Sequence, residues 1–147
     1  MESLHSFRIK IEKFFGLSIH EKWGFIKYSF SYSFYLLLYR TIGYKKIRNS
    51  VEYLIRPHLE SKVDKSISSA DNLSKTVNLA LENIFFNTTC LEKSLFTYFI
   101  LGLNGIKSEL KIGVDNGENN FKAHAWVEKE GIVLNGQENP LEKYSAF

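Results

Sequence analysis

The stretch Phe121-Lys122-Ala123-His124-Ala125-Trp126-Val127-Glu128 decides how the chain is read. Phe121, Ala123, Ala125 and Val127 alternate with Lys122, His124, Trp126 and Glu128, a period of two that predicts a β-strand with the two sets on opposite faces. His124 falls on the less apolar face. The chain's one cysteine, Cys90, lies upstream, just after Asn87-Thr88-Thr89 and at the start of an apolar helical pattern. A single Cys and a well-placed His are the minimum equipment for nucleophilic thiol chemistry.

Outward from that strand, Leu110, Ile112 and Val114 alternate as an earlier strand, and Asp115 to Asn120 reads as the turn between them. Lys129-Glu130-Gly131 turns the chain back into Ile132-Val133-Leu134-Asn135, which predicts a meander of three antiparallel strands. Ala125 and Val127 must share a core face with Ile132 and Leu134, so the loop holds two or four residues. In either case Asn135 emerges on the face of His124. A three-residue loop would bring Gly136 there, at the cost of turning Ile132 and Leu134 outward.

Leu91, Leu95, Tyr98 and Phe99 recur at i, i+4, i+7 and i+8 and give the cysteine helix a buried face, with Gly102 and Gly105 ending it. Cys90 is then expected in the first turn, where unpaired backbone amides and the positive end of the helix dipole favour a thiolate. The competing view of a lone cysteine is a small buried hydrophobe.

Toward the N-terminus, Leu4 to Phe15 predicts a short helix stopped at Gly16. Ser18-Ile19-His20-Glu21 offers an N-cap and a capping-box acid for a longer helix reaching Tyr39 or Ile42. Trp23, Ile26, Phe30, Phe34 and Leu37 recur at helical spacing, beside a second stripe of Tyr28, Tyr32, Tyr35 and Tyr39. The uncharged run Tyr28 to Tyr39 is too short for a bilayer span, which takes ~20 residues, so a buried core helix is expected. The alternative is a surface that docks a partner or touches a membrane, with the tyrosines as the docking face. A further helix is expected near Ile47 to Ile55, broken at Pro57 before a linker. Another begins at about Asp71, carrying Leu73, Val77, Leu81, Ile84 and Phe85. His5, His20 and His58 have no partner in sequence and read as solvent-facing.

With 147 residues and 44% apolar content, the chain has the size of one domain with a real core. Residues 1–64 form its helical N-terminal part and 65–147 its cysteine-bearing core. A lone cysteine makes no internal disulfide, and the Met1 to His5 opening lacks the pattern of a secretory signal, so a reducing cytoplasm is the expected compartment. The net charge of +3 is small and scattered, which argues against nucleic acid. No Gly-rich phosphate loop and no Cys/His metal spacing is present, so neither cofactor nor metal is expected.

A helix-borne Cys, a strand-borne His and a next-strand Asn, in that order, form the arrangement of papain-type cysteine peptidases and of the transglutaminase-like superfamily. Cys90-Leu91-Glu92-Lys93-Ser94-Leu95, the strand Ile112-Gly113-Val114, and Phe121 to Glu128 resemble the leader peptidases of lasso-peptide biosynthesis. Leu17-Ser18 before a long apolar helix, with Lys45-Lys46-Ile47-Arg48 after it, looks like their N-terminal part. That resemblance implies an α+β thiol protease with Cys90, His124 and Asn135 as its catalytic residues. It also implies a ribosomal precursor peptide as substrate, and a leader-recognition protein and an ATP-using macrolactam synthetase as partners. The family usually carries an aspartate in the strand after the His hairpin. Here Asn135 and Gly136 are the candidates, and no Asp follows Asp115. A transglutaminase-like acyltransferase and a non-catalytic peptide-binding scaffold are the alternatives.

Overall fold

The computed structural model describes residues 19–61, 64–84, 86–115, 122–135 and 145–146. The expected helix Leu4 to Phe15, Ser18, Phe85, the turn after Asp115, Phe121 and Gly136 lie outside them. The described elements run α1 (Ile19–Ile42), α2 (Tyr44–Ser61), α3 (Ile67–Glu82), α4 (Cys90–Leu103), β1 (Glu109–Asp115), β2 (Lys122–Lys129), β3 (Ile132–Val133) and β4 (Ser145–Ala146). The sheet is antiparallel with the order β3-β2-β1-β4. The expected α+β architecture holds, with one short strand, β4, added at the far edge.

The first helix extends as the periodicity predicts, but it is not the buried core helix expected: only one of its two stripes is buried. Tyr28, Tyr32, Tyr35 and Leu36 are buried, whereas Trp23, Ile26, Phe30, Phe34 and Leu37 are exposed. The tyrosine stripe is therefore core and not a docking face. Tyr32 and Tyr35 lie against the Phe96 ring of α4 at centroid distances of 5.0 and 5.2 Å. Burial pushes the phenols of Tyr28, Tyr32 and Tyr35 above their ordinary range. Gly24 shares that face, and a Cβ there would sit 2.9 Å from Thr76 of α3. The absent side chain lets α1 and α3 approach closely.

Two expected breaks do not occur. The second helix continues through Pro57 to Ser61, because its apolar positions Ile47, Val51 and Ile55 extend to Leu59, which packs on the same core. That burial outweighs the hydrogen bond a proline withholds. His58 accordingly sits in the last turn of a helix and not in a loop. Gly102, read as a helix terminator, is a buried residue inside α4. The terminating glycine is Gly105, at φ 71°, following the C-cap Asn104.

One apolar cluster joins all four helices and so draws on both the 1–64 and the 65–147 parts. A second one, Ala70, Leu101, Ile106, Val127 and Leu134, seats the sheet on the helices. The β2–β3 connection is the two-residue loop Glu130-Gly131, with φ of 51° and 78°, as a tight hairpin matching sheet twist requires. Lys129 ends β2 buried, its Nζ 2.6 Å from the Asp64 carboxylate at the entry to α3.

A Cβ at Gly102 would lie 2.7 Å from Ile55 Cβ, so α2 and α4 touch backbone to side chain there. Gly102→Ala is expected to destabilise by about 1–3 kcal/mol despite alanine's better helix propensity. Thermal unfolding checks this, and an unchanged or raised Tm would contradict the contact.

Candidate active site

The helix that carries Cys90 starts where it does because of its cap. Thr89 is the N-cap, its Oγ1 accepting from the Glu92 amide at 3.2 Å, while the Glu92 carboxylate accepts from the Thr89 amide at 2.7 Å. This reciprocal box makes Cys90 the first helical residue, as the sequence leads one to expect, and leaves its thiol half-buried. Glu92 is buried in doing so. Arg40, near the end of α1, donates through Nε to Glu92 at 3.4 Å and through Nη2 to the Asn87 carbonyl at 2.6 Å. One guanidinium thus ties the approach to Cys90 to the first helix.

His124 sits in β2 directly opposite Gly113 of β1, a pairing that places no side chain across from the imidazole. Its ring stacks on Trp126, with centroids 6.2 Å apart and planes 17° from parallel. Trp126 itself is fully buried and donates its indole N–H to Glu128 at 3.2 Å.

The cysteine helix packs on the histidine strand through a buried polar contact. Ser94 lies one turn beyond Cys90, and its Oγ donates to the Ala125 carbonyl at 2.8 Å, on the residue next to His124. Asn135 completes that contact: its Oδ1 accepts from the Val127 amide, and its Nδ2 donates to Ser94 Oγ at 2.7 Å. Asn78 of α3 holds the preceding residue through the Leu134 carbonyl at 3.2 Å. The two-residue hairpin loop agrees with the register reading, but β3 ends at Val133. Strict alternation therefore stops short of Asn135, whose amide turns to the cysteine helix. The described contacts thus gather Cys90's helix, the residues flanking His124, and Asn135 around Ser94.

Arg40, Glu92 and Ser94 are not singled out by the sequence reading. Thr89 to Glu92 has the spacing of a capping box and could have been found so. Ser94 stands out as a polar residue on the buried side of an apolar helix. Arg40 carries no local signal, since its role exists only through the fold. Among the described residues no group of three or more His, Cys, Asp or Glu is placed to hold a metal.

A helix-borne cysteine packed on an antiparallel sheet that bears the histidine is an α+β arrangement. Residues 38–147 match the model of the Transglutaminase-like superfamily, and the chain belongs to that family. Comparison with curated proteins and with solved structures gives no match. Membership points to cysteine peptidase or acyltransferase chemistry.

The contacts of Asn135 call for an amide and not a carboxylate. Val127 N–H can only donate, so one end of the side chain must accept, and the other must donate to a serine oxygen whose own proton is committed to Ala125. An ionised aspartate satisfies only the first. Asn135→Asp is expected to cost about 1–3 kcal/mol at neutral pH. Its carboxyl would titrate above the ordinary carboxylate value in the fold. The deficit should then shrink as pH falls toward ~4, where the protonated acid can donate again. Chemical denaturation of both proteins at the two pH values checks this, and a deficit independent of pH would contradict the donor role.

Proposed function

We propose that the chain is a cysteine peptidase that removes the leader from a ribosomally made lasso precursor peptide. The observation that carries this reading is Cys90 at the first position of a capped helix that packs on the His124 strand, in a chain of the Transglutaminase-like superfamily. The likeness of Cys90 to Leu95, Ile112 to Val114 and Phe121 to Glu128 to lasso leader peptidases supports the substrate.

In this mechanism Cys90 Sγ attacks the scissile carbonyl carbon while the thiol proton passes to the His124 imidazole. The Cys90 backbone N–H, which at the first helical position has no intrahelical acceptor, donates to the oxyanion. The C–N bond breaks, the leaving amine takes the proton from His124, and a thioester remains. Water, deprotonated by His124, then releases the acid and restores the thiol. Asn135 orients His124 indirectly in this scheme, by fixing β2 against α4 through Val127 and Ser94. A leader-recognition protein supplies the sequence selectivity that a few side chains around one thiol cannot, and a macrolactam synthetase of the same pathway takes the product. The reducing cytoplasm suits such an enzyme, where a lone thiol stays reduced.

Acyl transfer is the second reading, favoured by the same family membership, with an amine in place of the water. Mass spectrometry of the purified chain incubated with precursor, with and without the recognition protein and a primary amine, separates the two. Cys90→Ala is expected to abolish turnover, and His124→Ala to lower it by about 10²–10⁴-fold and to slow iodoacetamide alkylation of Cys90. Cleavage that survives Cys90→Ala would rule out the peptidase. Equal alkylation rates in wild type and His124→Ala would rule out the Cys–His pairing.

A further inference from the structure

The exposed face of α1 is the largest feature the catalytic reading leaves unused. Ile19, Trp23, Ile26, Phe30, Phe34 and Leu37 all stand on it, with Trp23, Phe30 and Phe34 at 69%, 78% and 64% exposure. At 100° per residue they fall within about 80° of arc, so they form a straight ridge ~27 Å long along the solvent side. At ~200 Å² per aromatic side chain, the three rings alone put on the order of 400 Å² of apolar surface in water, a size at which an exposed patch is functional.

Apart from Glu21 in the first turn, the Asp, Glu, Lys and Arg residues of α1 are of one sign. From Lys22 to Val51 the chain carries Lys22, Lys27, Arg40, Lys45, Lys46 and Arg48 and no acidic residue. On the helical projection Lys22 and Lys27 lie on opposite edges of the ridge, while Arg40, on the edge of Lys22, is engaged with Glu92 and the Asn87 carbonyl and is not counted among the lipid-facing cations. Lys45 and Lys46 are exposed in the first turn of α2, just beyond the ridge's C-terminal end. Lysines beside an apolar stripe can extend their ammonium groups to lipid phosphates, for which Lys27 would leave its place 5.5 Å from the Tyr28 ring centroid, and tryptophan favours the boundary between water and hydrocarbon.

We propose that α1 seats the protein on an anionic membrane surface, with the ridge in the headgroup layer and the flanking cations on lipid phosphates. No helix among the described residues is long and apolar enough to cross a membrane, so the attachment is peripheral. The charge pattern selects this occupant over a second copy of the chain. A twofold through the middle of the ridge would set Lys27 beside its own copy and bring two acid-free faces together. A lipid surface rich in phosphates complements the same face, and a flat bilayer fits a convex ridge.

Co-sedimentation with extruded vesicles tests the proposal, comparing equimolar phosphatidylglycerol and phosphatidylcholine with phosphatidylcholine alone. Brominated phosphatidylcholine is included to quench Trp23, whose signal is taken as the difference between wild type and Trp23→Phe. The anionic vesicles should bind at least about tenfold more tightly, with affinity falling as salt rises. Trp23 should be quenched, and Phe30→Ser with Phe34→Ser should lose at least about tenfold in binding while keeping its circular dichroism. Should that pair disturb folding, Lys27→Glu with Lys46→Glu must weaken binding to the anionic vesicles to a similar extent. Absence of binding, binding without Trp23 quenching, or binding indifferent to the paired substitutions would each overturn the proposal. So would wild-type dimers that the serine pair dissociates in a protein that ignores vesicles, which would give the ridge to a second copy. Retention by an acidic protein in place of lipid would overturn it as well.

Discussion

The hydrogen bond from Ser94 Oγ to the Ala125 carbonyl determines where the cysteine helix meets the histidine strand, and most of the site follows from it. A helix packed on a sheet by apolar contacts alone can slide by a fraction of a turn at little cost, because Leu, Val and Ile surfaces fit one another in several registers. A buried hydroxyl permits one register only, since every alternative leaves it or its partner unsatisfied in a medium where that costs about 1–3 kcal/mol. Asn135 strengthens the constraint by bonding the same hydroxyl and the Val127 amide together. Cys90 stands one turn from this point and His124 one residue from it. A short polar chain thus sets the relation between two groups contributed by distant parts of the sequence.

The first turn of the same helix is fixed from the other side. The Glu92 carboxylate closes the capping box on Thr89 and receives Arg40, so the residue before Cys90 is bound both locally and, through Glu92, to α1. The ion pair is half exposed at the guanidinium and contributes little to stability. Its effect is geometric, because the same Arg40 donates to the Asn87 carbonyl and ties the segment entering α4 to α1. The cysteine core therefore does not end at residue 65. It needs the C-terminal end of α1 for this contact and α1's tyrosines for the packing of Phe96.

What the sequence conveyed and what it withheld divide along the same lines. The strand around His124, the hairpin turn and the place of Cys90 behind a polar cap were legible, because each is set by residues near one another in the chain; the alternation of burial along that strand was not, since Trp126 on the His124 side is fully buried and Ala123 is exposed. The faces of α1 were not legible either. Both stripes are apolar or aromatic and about half a turn apart, and periodicity detects stripes without saying which one meets a core. Gly24 held the missing information, since a glycine on the tyrosine side marks a close helix approach, here to Thr76. Pro57 and Gly102 misled for a related reason. Each is a helix breaker by local propensity, and each is retained within a helix because tertiary contact outweighs propensity, through Leu59 in one case and the tight passage of Ile55 in the other. Asn135 was found by an alternation argument that its own strand does not extend far enough to support, and its contacts come from the bend after β3.

The two faces of α1 have a consequence for the site itself. Tyr32 and Tyr35 bind α4 through Phe96, while Phe30 and Phe34, on the opposite side of the same turns, stand in water. One helix thickness, about 10 Å, therefore separates the exposed ridge from the cysteine helix. Through Tyr32 and Tyr35, the face of α1 opposite Phe30 and Phe34 thus packs on the helix that carries Cys90.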